Sequence, residues 1–102
     1  MDLEELRLFL AVAQHGAFNA AADSLGVPRS TLRRRVDALE ARARTPLLNR
    51  TAQGIALTEA GKVLAERGRT MLEGASALLD SISEVGVEPV GILRVVMPVG
   101  PP

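Results

Sequence analysis

The chain has 102 residues, with 12 Lys+Arg against 12 Asp+Glu, 47% hydrophobic residues, 2% aromatic residues and no cysteine. That length holds one domain, or one small domain with an appendage, and excludes barrel and two-domain enzymes. The lack of Cys excludes a disulfide framework, a thiolate zinc site and a thiol nucleophile, and no apolar run approaches the roughly 20 residues that span a bilayer.

A Leu- and Ala-rich, aromatic-poor chain reads as helical, and a protein of the cytoplasm is expected, without a membrane partner. Asp2 with Glu5 makes a capping-box pattern, in which each side chain satisfies an orphan amide at a helix start. Leu3, Leu6, Leu10 and Ala13 follow at helical spacing, so a first helix is predicted to about Gln14, stopping at Gly16. Asn19 is read as the N-cap of a short second helix through Leu25. Gly26 supplies the turn, and Pro28 suits a first helical position because its missing N–H is not needed there.

A third helix is predicted over residues 28–43, with Leu32, Val36 and Leu39 on its buried face. At about 100° per residue, Ser30, Arg33 and Arg34 point away from that face, while Arg35 lies about 60° from it, on the flank. The balance of charge breaks down here. Residues 29–50 hold seven arginines against Asp37 and Glu40, a net of +5. An Arg33–Asp37 pair at i,i+4 is available, but two acids cannot neutralise seven bases. Arginine suits bidentate contact with phosphates and guanine edges.

Residues 47–58, LLNRTAQGIALT, hold two short apolar runs around a polar, Gly-containing turn, the signature of a small β-hairpin. Thr58 is read as the cap of a long helix to about Val85. Leu64, Gly68, Met71, Ala75, Leu78, Ile82 and Val85 recur at 4-3-4-3 spacing, a heptad seam that needs a partner helix, most simply that of a second copy. Gly61, Gly68 and Gly74 are expected where two backbones approach closely. The tail, VEPVGILRVVMPVGPP, changes character, and its strand-like run reads as the start of a further domain.

Helix, short helix, glycine turn and a third helix with an outward Arg/Ser face follow helix-turn-helix logic. Ala22 is small where two helices cross, Leu25 precedes the turn, and Leu32 and Val36 pin the second helix of the motif. On MDLEELRLFLAVAQHGAFNAAADSLGV, the segment ALEARARTPLLNR and the segment GIALTEAG, residues 1–96 resemble the LysR-type transcriptional regulators of bacteria. The resemblance implies a mainly α fold: a winged helix-turn-helix of three helices plus a two-stranded β-hairpin wing, followed by a long dimerisation helix. It divides the chain into a DNA-binding domain at 1–57, a linker helix at 58–86, and a hinge with the first strand of an absent effector-binding domain at 87–102.

The same resemblance assigns candidate DNA contacts. Pro28, Arg29 and Ser30 stand where the family has Ser-Gln-Pro, and Arg33 stands where it has Ser. Arg29, Ser30, Arg33 and Arg34 are candidates for base edges and adjacent phosphates, with Thr31 beside them. Arg50 matches an arginine at the wing base, Gln53 takes the place of a wing-tip arginine, and Asn19 offers its amide to phosphate. The implied partners are double-stranded DNA with an interrupted palindromic operator, a second copy through the linker helix, and a small-molecule effector only in a full-length form. A competing reading is a dimeric helical adaptor that binds an acidic protein through the Arg-rich face. An enzyme is not expected: His15, the only histidine, has no second candidate ligand, and no cofactor or metal is implied.

Overall fold

Helix α1 (Leu3–His15) starts at the capping box: Glu5 N–H donates to Asp2 Oδ1 at 2.7 Å, and the Asp2 amide donates back to Glu5 Oε1 at 3.4 Å. It ends at Gly16 in the left-handed region. The computed structural model describes residues 1–86, in the order α1, α2 (Phe18–Leu25), α3 (Arg29–Ala43), β1 (Leu48–Thr51), β2 (Gly54–Leu57) and α4 (Glu59–Gly86). The hinge and strand expected at 87–102 lie outside the described residues.

Two expected caps are corrected. The N-cap of α2 is Ala17, not Asn19, and it makes no side-chain hydrogen bond. Starting two residues earlier puts Phe18 inside the helix, where it is 5% exposed and joins the core. Burial of a large apolar ring outweighs the roughly 1 kcal/mol that a polar cap supplies. Likewise Pro28 is the N-cap of α3 rather than its first residue, held extended at φ −62° and ψ 142°.

The core forms two connected layers of side chains. Leu8, Val12, Phe18, Ala21, Ala22, Leu32 and Val36 make one, at the crossing of α1, α2 and α3. Phe9, Leu39, Leu47 and Ala65 make the other, and half-buried Leu48 packs on both. The Leu32–Val36–Leu39 stripe read from the sequence is the buried face of α3.

The hairpin pairs antiparallel with Leu48 opposite Leu57 and Arg50 opposite Ile55. A two-stranded ribbon is marginal alone, and three contacts tie this one down. Glu40 Oε2 accepts the amides of Leu47 and Leu48 at 2.7 and 3.1 Å. Ile55 N–H donates to the Gly16 carbonyl at 2.9 Å. Gly54 sits at φ 130°, and a Cβ there would come 2.7 Å from that same carbonyl oxygen, so both conformation and space require glycine.

Thr58 caps α4: its Oγ1 accepts from Gly61 N–H at 3.0 Å and donates to the Pro46 carbonyl at 2.7 Å. Gly61, Ala65 and Gly68 are buried. A Cβ on Gly61 would strike the Leu47 carbonyl, and one on Gly68 would lie 2.5 Å from Leu6. Gly61 and Gly68 therefore allow close approach within the chain, and Gly74 meets open space. One compact unit, Met1–Leu72, takes in the early turns of α4; the second begins at Glu73.

Candidate nucleic-acid interface

The seven arginines of residues 29–50 divide by what they meet. Arg35 reaches Asp2 at 3.9 Å, and Arg42 pairs with Glu5. Glu5 is buried, and the hydrogen bond from Arg42 holds its carboxyl below the ordinary glutamate value, against the effect of burial. Arg33 Nε donates to Asp37 at 3.2 Å, the pair expected from i,i+4 spacing. Arg29, Arg34, Arg44 and Arg50 form no ion pair among the described residues.

Three of those four lie on the helix-turn-helix and wing. Arg29 and Arg34 project from α3, both exposed beside exposed Ser30 and half-buried Thr31. Arg50 lies on β1. Arg29 and Arg50 line one open cleft of about 210 Å³ with Ala17, Phe18, Asn19, Thr51, Gly54 and Ile55. Asn19, though not the cap, stands in the first turn of α2, whose unbonded amides carry partial positive charge. Gln53 is exposed at the hairpin turn, its amide donating to Thr51 Oγ1 at 3.2 Å.

Arg33 keeps a partly solvent-facing side chain, 40% exposed, while its guanidinium reaches over a core ring. It is half-buried, with its Cζ 5.1 Å from the centroid of the Phe18 ring. Arg50 approaches the same ring, at 5.7 Å. Nothing in the residue spacing of the sequence marks Phe18 for contact with these arginines.

The heptad residues fall into two groups. Leu64 packs on the second core layer and Gly68 against Leu6, so the chain itself covers the start of the seam. Ala75 is half-buried, whereas Met71, Leu78, Ile82 and Val85 are 55–72% exposed. Among the described residues no helix is long and apolar enough to cross a membrane, and no group of three or more His, Asp or Glu could hold a metal ion.

The family model for bacterial regulatory helix-turn-helix proteins of the lysR family matches residues 3–62. The chain belongs to the LysR family. An HTH-type transcriptional regulator of Xanthomonas campestris is 37% identical over 97 residues, covering 95% of this chain and 28% of that protein. The DNA complex of the CbnR DNA-binding domain is similar at TM-score 0.79 and 37% identity, over 84% of this chain and 99% of that one. The complex of the BenM DNA-binding domain with its catB site is similar at TM-score 0.84 and 25% identity, over 87% and 100%. This LysR-family chain spans about a third of the length of its curated relatives. It is a DNA-binding regulator domain with a winged helix-turn-helix, not an enzyme, and an adaptor for an acidic protein finds no support among these relatives.

Proposed function

We propose that the chain binds double-stranded DNA of defined sequence as a homodimer, with α3 in the major groove and the β1–β2 wing on the flanking backbone. The carrying observation is the set of cations without acid partners: Arg29 and Arg34 on α3 and Arg50 on β1. Charges left uncompensated on one side of a domain attract a polyanion and steer its approach. Arg29, Ser30 and Arg34 are exposed enough to meet base edges and adjacent phosphates, and Thr31 a thymine methyl. Arg50 meets phosphate, Gln53 the minor groove or backbone, and Asn19 with the α2 amides a further phosphate.

Dimerisation is assigned to α4. Met71, Leu78, Ile82 and Val85 leave apolar side chains exposed along it, and water disfavours that exposure. Two-fold pairing implies two half-sites in an interrupted palindrome. Sensing of a small-molecule effector belongs to a full-length form, as the chain covers only about a third of its relatives. Such a role implies work at the bacterial nucleoid, in the cytoplasm.

Selection of bound duplexes from a random pool tests this directly. An enriched inverted repeat is expected; a pool that shows no enrichment, or an affinity indifferent to salt, sinks the reading. Met71→Glu should yield monomers by sedimentation, and a dimer that persists would put the interface elsewhere.

A further inference from the structure

Two guanidinium groups from different elements share one aromatic ring. Arg33 comes from α3 and Arg50 from β1, with their Cζ atoms 5.1 and 5.7 Å from the Phe18 centroid. The ring is 5% exposed and set by the core around α2, so it is a fixed platform for two long side chains. An aromatic face attracts each cation, while the two like charges repel each other. Asp37 faces Arg33 Nε, and Arg50 has no acid partner among the described residues. Two cations gathered by an uncharged ring with a single carboxylate leave unmet positive charge. Beside them lies the cleft that Arg29, Arg50, Thr51 and the first turn of α2 line.

We propose that Phe18 is a positioning residue for DNA binding: it holds Arg33 and Arg50 in place as a ready-made pair of phosphate-binding cations, one from the recognition helix and one from the wing. The proposal rests on the DNA-binding reading above and adds two things to it. Arg33 serves the backbone rather than a base edge, because its guanidinium is turned to Phe18 and Asp37. Phe18, which itself reaches no DNA, contributes by ordering side chains before the duplex arrives. Each ordered arginine otherwise loses rotamer freedom on binding.

Phe18→Leu keeps an apolar side chain in the core and removes the ring face. Random-sequence duplex is the probe, because its binding depends on phosphates and not on an operator. The variant is expected to melt as a folded protein and to bind this duplex about tenfold more weakly. The slope of log K against log salt should fall by about 1–2, the share of one or two phosphate contacts. In the Arg33→Ala/Arg50→Ala background, Phe18→Leu should add no further loss. An unchanged slope, or a loss that persists without the arginines, overturns the positioning role while leaving DNA binding intact. Wild-type chain that binds no duplex overturns both. Should Phe18→Leu fail to fold, the wild-type protein decides by nuclear magnetic resonance. Side-chain protons of Arg33 and Arg50 should be shifted upfield by the ring in the free state, and unshifted resonances overturn the proposal.

Discussion

On the flank where α1 meets α3, Arg35 and Arg42 face Asp2 and Glu5. By contrast, Arg29 and Arg34 on α3 and Arg50 on β1 pair with no carboxylate among the described residues. One basic stretch of sequence thus has two physical roles. The flank arginines tie α3 to the start of α1; the others carry no counter-ion and, on the proposed reading, meet a polyanion. The acids at the start of the chain are what divides them: they neutralise one flank of α3 and leave the other alone.

The contrast can be broken at several strengths. Leu32 lies beneath both faces at 0% exposure, and Leu32→Ala should cost about 2–5 kcal/mol in thermal unfolding, abolishing the distinction by loosening α3. Arg34→Ala should leave the melting temperature unchanged, cost about 1–3 kcal/mol in DNA affinity and relax the sequence preference at one position. Arg50→Ala should weaken all duplexes alike. Equal, sequence-independent losses from both would end the assignment of Arg34 to base reading.

A smaller effect is expected from pH. The Arg42 hydrogen bond depresses the folded-state carboxyl of Glu5 below 4.5, so the stabilisation is complete above that value and disappears as pH falls through the lower, folded-state one. Glu5→Gln should make the fall of the melting temperature below pH 4.5 less steep, with DNA affinity at neutral pH little altered; an acid limb that keeps its wild-type steepness would assign the pair no role. Smallest is Arg44, the C-cap of α3, which holds φ 58° without being glycine. Arg44→Gly should relieve that strain and stabilise by about 0.5–1 kcal/mol, read by denaturant titration.

Periodicity made α1, α3 and the hairpin legible in the sequence, because each has one buried face and recognisable stop residues. Residue types were equally informative for Asp2, Gly26 and Thr58, whose roles depend on neighbours within a few positions. Contacts across long separations were not legible. Glu5 and Arg42 are 37 residues apart, and nothing local in either announces the other. Glu40 looked like a counter-ion and instead binds two backbone amides of the wing. Gly61 and Gly68 fitted a helix-pairing pattern, yet their lack of a side chain answers to Leu47 and Leu6 of the same chain. Asn19 misled because capping preference takes no account of where a neighbouring ring, Phe18, must be buried.

The hydrogen bond from Ile55 to the Gly16 carbonyl, with Gly54 pressed against the same oxygen, fastens the wing to the corner between α1 and α2. The wing and the helix that precedes the recognition helix therefore form a single caliper with a fixed opening. On the proposed reading, the offset along DNA between bases met by α3 and backbone met by the wing is a constant of the fold. Substitutions on α3 can change which bases are preferred, but the length of each half-site stays as the Gly16–Gly54 joint sets it.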